Sequence, residues 1–549
     1  MKTLSLNKLS LLTGIVFVLL LSATLYFYKL DTIPNGLYVD EAVSGYNSYS
    51  LYLTGRDEYG KSLPIALRYF ASFTPPLYAY TSIIPIHFLG LTEFSTRVTA
   101  AISGVISVLI AYFFLKELKI FTSKYKLLLG TLLFAISPWV VFYSRVGYEI
   151  YFAFLLFIIG AYFCLKALTS PKYLFISTFF LSLSAFTSHT HKYLLVLWIP
   201  FYFVVFRKEL NFKKNSKTIL INLFLGLIIL SPYLSLLNTG ALQSKNSLFY
   251  SEAIISRATT LSIPPVFSIP ISTSYEFLAR YVTYFSPKSL FFVGDPDPQR
   301  SIPELSIFYP WMLIPYITGL LLLTKKLKDK RYRYLLFMLL VTPIPAALTQ
   351  DPFSTQRALP VFFPLFLIIS LGISKIVEIK NKLVLLFIVI TILLYSIFML
   401  WRSYFVLFSV EKAQAWGFGY KQLIEEINKR PKTSFVIDQT RLKPVYIQYA
   451  FYKKFDPQKM QALYRFDFVN NYYNEINFDS PMKLDETEFR SIVWKDDICK
   501  SQILVGDYLS FSENNVTEHF LTWEFTISDP RGEILFVGYK THPELKCNK

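Results

Sequence analysis

Asp40 and Glu41 stand side by side in the run Pro34-Asn35-Gly36-Leu37-Tyr38-Val39-Asp40-Glu41, directly after a first apolar segment long enough to cross a membrane. A carboxylate pair just outside hydrocarbon is costly to keep without a task, so it points to an active site at the membrane surface. A carboxylate there can accept the proton of an attacking hydroxyl, which makes Asp40 the expected general base. Glu41 is expected to orient the acceptor or a water molecule, or to help bind a metal ion. The competing reading for both is a helix cap, since carboxylates favour helix N-termini.

The chain that carries this pair has 549 residues, 53% hydrophobic and 18% aromatic, with its apolar residues in long blocks rather than in amphipathic alternation. That pattern is a polytopic α-helical membrane protein. Eleven blocks are long enough to span, at about 10–28, 97–115, 127–143, 151–168, 173–188, 193–206, 219–237, 308–324, 334–348, 359–374 and 383–401. The first has no small-residue cleavage site and reads as a retained anchor.

A formal charge of +18 raises the question of nucleic acid, but the Lys and Arg residues fall in alternate short loops. These are Lys2 and Lys8, Lys116–Lys126, Lys166–Lys172, Arg207–Lys217, Lys325–Arg333 and Lys375–Lys382. Such a bias places those loops in the cytoplasm, so the charge encodes orientation and no nucleic-acid partner is expected. Residues 29–96, 144–150, 189–192, 238–307 and 349–358 then lie outside the cell membrane with the tail from about 403, and every polar cluster considered below shares that face.

Residues 1–405 are expected to form the membrane module. Within its first outer loop, 29–96, Glu41–Thr54 has helical spacing and stops at Gly55, and Pro75-Pro76 opens a second short apolar helix ending near Gly90. A second long outer loop covers 238–307. Residues 406–549 read as a soluble α/β domain: an amphipathic helix over Gly419–Lys429, a strand over Ser434–Asp438, a helix over Pro444–Lys454, and strands at Ile503–Val505, Leu521–Ile527 and Ile534–Val537. It contains no catalytic motif, which suits support, orientation or recognition. Cys499 and Cys547 both fall in this external tail, where oxidising conditions permit a disulfide; Cys164 lies within a span.

The run PNGLYVDEAVSGYNSYSLYLTGRDEYGKSLPIALRYFASFTPPLYAY, followed by GLTEFSTRVTAAISG, resembles the first-loop region of bacterial membrane glycosyltransferases of the protein-mannosyltransferase and aminoarabinose-transferase type. SRVGYE (144–149), LFFVGDPDPQR (290–300) and PIPAALTQDPFSTQRALP (343–360) continue the resemblance in order. It covers most of residues 30–375. It implies a GT-C fold, a polyprenyl-phosphate sugar donor, and transfer with inversion on the outer leaflet to a lipid, glycan or protein acceptor.

In such a transfer the phosphate departs readily once cations stabilise its charge. Arg145 in SRVGYE resembles a position facing the lipid phosphate; the plainer reading is an ion pair with Glu149, four residues on. Arg357 also matches a family position, with interfacial snorkelling as its alternative. Thr74 departs from the pattern, because many relatives carry a phosphate-contacting lysine directly before the Pro-Pro, so either Arg68, Arg145 or Lys192 supplies that charge or the donor is held differently. His191 and Lys192, in the cluster His189–Tyr193, are candidate sugar or phosphate contacts. Asp295, Asp297 and Arg300 are expected in a loop over the site, where the proline spacing suits a plain turn equally well, and Tyr46 is expected near the sugar, with packing as its alternative. Asp57-Glu58 repeats the acidic dipeptide but follows a helix-stopping glycine and reads as loop structure.

No metal ligand set is visible, and a lone Asp-Glu pair is as compatible with a divalent metal as with none. The rival reading is a transporter or flippase of lipid-linked glycans. Transporters place ionisable residues near the bilayer midplane, whereas these charges gather at the outer boundary.

Overall fold

In the computed structural model, residues 6–243, 252–378, 381–441, 444–464, 466–474 and 482–547 are described. Of the basic residues that set the orientation, Lys2 and Lys380 lie outside them. Apolar runs and turn residues divide the first half into helices α1 (Leu6–Phe27), α2 (Val39–Thr54), α3 (Leu77–Leu89), α4 (Glu93–Glu117), α5 (Lys124–Ala135), α6 (Pro138–Tyr143), α7 (Ile150–Ala167), α8 (Leu174–Ala185), α9 (His189–Val205) and α10 (Phe212–Leu230). Then come α11 (Gly240–Gln243), α12 (Glu252–Thr260), α13 (Pro265–Thr283), α14 (Leu313–Lys325), α15 (Lys330–Val341), α16 (Ile344–Ala347), α17 (Leu359–Ile376), α18 (Lys382–Leu400), α19 (Phe408–Glu411), α20 (Tyr420–Asn428) and α21 (Val445–Lys453).

Five helices among the described residues are long and apolar enough to cross a membrane: Glu93–Glu117, Ile150–Ala167, Phe212–Leu236, Leu359–Ile376 and Lys382–Glu411. Other expected spans are shorter or broken. The block 127–143 is two helices, because Pro138 has no N–H to donate and holds Ser137 extended, at φ −63° and ψ 135°. The block 334–348 divides at Pro343, which has no N–H to continue the hydrogen-bond ladder, into α15 and α16, although Thr342 before it keeps helical angles, at φ −65° and ψ −30°.

The chain forms two units, one of Met1–Tyr28, Phe73–Tyr78 and Val98–Tyr404, the other of Lys29–Ser72, Ala79–Arg97 and Phe405–Lys549. In the first, α14 and α17 approach with backbones almost touching. A Cβ on Gly372 would stand 1.9 Å from the Pro315 carbonyl oxygen, and one on Gly319 1.9 Å from that of Ile368. Small residues at such crossings are how helices pack where no water drives them together.

Most of the first outer loop therefore belongs with the tail rather than with the membrane helices. The strands are β1 (Leu67–Tyr69), β2 (Ser72–Thr74), β3 (Ser434–Ile437), β4 (Lys483–Leu484), β5 (Thr487–Phe489), β6 (Gln502–Gly506), β7 (Thr522–Ser528) and β8 (Ile534–Lys540). β3 to β8 form one mixed sheet in the order β4-β5-β3-β6-β8-β7. β3 runs parallel to β5 and β6, and β8 antiparallel to β6 and β7. Apolar faces of α20 and α21 cover it, and Ala42, Val43, Tyr46 and Leu51 of α2 enter the same core. Cys499 and Cys547 are joined as a disulfide within this unit.

Candidate active site

α2 begins where the cap residue Tyr38 is still extended, at φ −62° and ψ 150°, and ends at Gly55 in the left-handed region at φ 68°. Asp40 and Glu41 occupy its first turn, the positive end of the helix dipole. Their environments differ. Asp40 keeps part of its surface, whereas Glu41 is fully buried.

Arg97, at the start of α4, accounts for the burial of Glu41. Its Nε donates to Glu41 Oε1 and its Nη2 to Oε2, both at 2.8 Å. The same guanidinium donates to the carbonyls of Leu30 and Pro34 at 3.0 Å and of Gly36 at 2.6 Å. Glu41 Oε2 also accepts the Tyr38 N–H at 3.2 Å. Glu41 thus has the capping contact of the plainer reading together with a two-point ion pair, and this geometry fixes the loop before Asp40. From the sequence alone Arg97 receives no role; its one signal is an arginine at the first position of the apolar block 97–115.

Gly36 is needed in this loop. A Cβ there would stand 2.3 Å from the Trp416 carbonyl oxygen and 2.5 Å from the Phe418 nitrogen, so the tail passes against the loop with no room for a side chain. Gln448 on α21 adds a hydrogen bond from Nε2 to the Leu37 carbonyl at 2.8 Å.

Tyr46 is buried and donates to the Phe455 carbonyl at 3.1 Å. Burial, and then Glu58, raise its phenol above the usual value, so it stays neutral. Arg68 lies buried over the rings of Tyr59 and Phe468, with Nε donating to the Phe70 carbonyl at 3.0 Å. Both side chains serve the packing of this unit. Asp57 and Glu58 are loop residues, as expected, and both are completely buried. Asp57 accepts from the Tyr59 and Lys61 N–H groups and from the Tyr472 hydroxyl. Glu58 accepts from Asn47 Nδ2 at 3.1 Å and the Tyr446 hydroxyl at 3.3 Å.

The other sequence-predicted residues lie in the first unit. Arg145 is buried after α6 and donates from Nη1 to the Leu25 and Tyr26 carbonyls at 2.8 and 3.0 Å, capping the C-terminal end of α1. Its Nε donates to the Tyr404 hydroxyl at 3.3 Å. Glu149, half-buried, is the residue preceding α7. His191 is buried on α9 beside Phe157, while Lys192 stands with its Nζ 3.9 Å from the centre of the Tyr233 ring.

The motifs around Arg300 and Arg357 meet. Asp351 Oδ2 accepts from Arg300 Nη1 and from Arg357 Nη1, each at 3.0 Å. Arg300 also pairs with Asp295 and Asp297 at 3.2 Å, and Asp295 Oδ2 accepts from the Thr355 N–H and hydroxyl. Burial pushes the Asp295 carboxyl above its usual range, with Arg300 opposing. Among the described residues, no three His, Cys, Asp or Glu side chains gather in a metal-holding group.

No protein-family model matches the chain, and no curated protein matches it in sequence. Solved structures do match. ArnT from Cupriavidus metallidurans bound to undecaprenyl phosphate superposes with a TM-score of 0.54 at 11% identity, over 95% of this chain and 97% of that one. Its apo state gives 0.56 at 11% identity, over 98% and 100%. The archaeal oligosaccharyltransferase AglB from Archaeoglobus fulgidus, in complex with an inhibitory peptide and a dolichol-phosphate, gives 0.50 at 13% identity, over 98% and 75%. The chain has the fold of the GT-C membrane glycosyltransferases.

Proposed function

We propose that this chain moves one sugar from a polyprenyl-phosphate carrier to an acceptor hydroxyl or amine of a lipid, glycan or protein on the outer face of the cell membrane. The observation that carries this reading is the split between the paired carboxylates on a GT-C fold. Glu41 is locked by Arg97, while Asp40 keeps part of its surface on the same helix turn.

In the proposed step Asp40 accepts the proton of the acceptor as its oxygen or nitrogen bonds to the anomeric carbon. The bond from that carbon to the phosphate oxygen breaks, its electron pair leaves with the polyprenyl phosphate, and the anomeric centre inverts. Lys192 and Arg357 keep part of their surface and are assigned to the developing phosphate charge. Arg145, His191 and Arg300 pack within the first unit and Arg68 within the second. Undecaprenyl phosphate on ArnT and a dolichol-phosphate on AglB support a polyprenyl donor. The eleven hydropathy blocks and their charge bias support an outward-facing site, with 406–549 bracing α2.

The test is mass spectrometry of envelope lipids, glycans and secreted proteins from cells with the chain, without it, and with Asp40→Asn. A sugar lost in both altered strains is expected, with a rate drop of roughly 10²–10⁴-fold for the folded variant. Unchanged glycoconjugates would overturn the reading, and a lipid-linked glycan accumulating on the inner leaflet would favour a flippase.

A further inference from the structure

The outer loop contains a helix built inside out. On α13 the large apolar residues Val266, Phe267, Ile269, Ile271, Leu278 and Val282 all face outward, exposing 77, 62, 50, 51, 56 and 60% of their surfaces. The polar residues Ser268, Ser272 and Arg280 are the buried ones. A helix in water shows the opposite arrangement. An apolar face this long marks a surface that something covers.

Several polar groups of the hairpin α12–α13 are paired within the protein. Three of its charges form one linked chain across the turn: Arg257 Nε to Glu276 Oε1 at 3.2 Å, Arg280 Nη2 to Glu276 Oε2 at 3.3 Å, and Arg280 Nη1 to the Thr349 carbonyl at 3.0 Å, while Glu252 at the start of α12 is exposed. The hydroxyls of Thr259, Thr260, Thr273 and Thr283 all donate to carbonyls three or four residues back in their own helix. Helices within lipid satisfy hydroxyls in this way, because no water is present to do so.

What covers the face follows from its neighbours. Tyr281 donates its hydroxyl to the Leu340 carbonyl at the end of α15, and Tyr316 on α14 donates to Phe285, just past α13. α15 and α14 fall in expected membrane blocks. Two helices long enough to cross, Phe212–Leu236 of the same unit and Lys382–Glu411, which lies in it up to Tyr404, bury only 17 and 11% of their apolar windows, as lipid-facing helices do. The apolar face of α13 continues that kind of surface. We infer that the α12–α13 hairpin is embedded in the bilayer, its outward face in contact with the acyl chains of membrane lipids, rather than forming a water-exposed loop.

The chain suits a thiol-based test, because Cys164 is buried and Cys499 is bonded to Cys547. Val266→Cys, Leu278→Cys and, as a control in the tail, Asn514→Cys are labelled with an environment-sensitive fluorophore in the full chain reconstituted into phosphatidylcholine vesicles. Quenching by acyl-chain spin labels several-fold stronger at 266 and 278 than at 514, with slow reaction toward a membrane-impermeant maleimide, is expected. Fast maleimide reaction and quenching by aqueous iodide would overturn the inference. Protection accompanied by crosslinking between two copies would also overturn it, in favour of a protein partner. A carbene probe dissolved in the acyl region should label residues 265–283 of the unaltered chain, a readout independent of how the variants fold; an unlabelled segment would overturn the inference as well.

Discussion

Arg97 and Glu41, 56 residues apart, close a two-point ion pair with both side chains fully buried, and the same guanidinium holds three carbonyls of the loop leading to Asp40, two through Nη1 and one through Nη2. The pair therefore fixes the loop that leads to the proposed base.

Removing one partner of a buried ion pair leaves a desolvated charge, which costs about 3–5 kcal/mol. Arg97→Ala is expected to lower the unfolding temperature in detergent accordingly. Arg97→Lys should recover only part of the loss, since a single ammonium cannot reproduce the fork or reach the three carbonyls. An unaltered melting curve for Arg97→Ala would show that the pair has no such role.

Asp57 and Glu58 impose a pH dependence. Burial pushes the Asp57 carboxyl up to about 6 and that of Glu58 up to about 8. Both folded values lie above those of the unfolded chain, so between about pH 4 and pH 8 the folded state binds more protons and stability falls as pH rises. The unit containing them should melt at a higher temperature near pH 5.5 than near pH 8.5, and Asp57→Asn with Glu58→Gln should flatten the profile, as followed by circular dichroism.

At the α14–α17 crossing, Gly372→Ala places a methyl 1.9 Å from the Pro315 carbonyl oxygen, and backbone must move to admit it. A loss of about 1–3 kcal/mol or more is expected. Gly226→Ala on α10 is the control: its nearest neighbour would be the Thr178 methyl at 3.4 Å, an ordinary contact, and alanine is the better helix former. Thermal aggregation assays on the purified variants separate the two.

The Cys499–Cys547 bridge closes a sequence separation of 48. Loop entropy over that length is worth about 4 kcal/mol in the unfolded chain. Cys499→Ser should reduce the denaturant midpoint of the C-terminal fold by a matching amount, and reducing agent should reproduce the effect in the native chain but not in the variant.

Local features were legible. The helix from 39 to 54 and its stop at Gly55 follow from apolar spacing and from glycine's access to positive φ. The helices and strands of the tail lie close to where periodicity placed them. Less legible were the breaks: length and hydropathy joined 127–143 into one span, and only the proline geometry at 138 divides it. Arg145 shows why site roles resist sequence reading. It was expected to face a lipid phosphate, with Glu149 four residues on as the plainer partner, and no local pattern pointed to the contacts it makes at the end of a helix about 120 residues away.

Hydropathy and local spacing act residue by residue, so the sequence by itself determined that this is a membrane chain, which segments are apolar, and that the acidic pair opens a helix. Partner choice belongs to the folded chain. Which carboxylate Arg97 captures, that α2 shares a core with the tail sheet, and that the Arg300 and Arg357 motifs converge on Asp351 were decided only by tertiary structure. Each rests on burial and geometry between residues distant in sequence, and no local pattern encodes them.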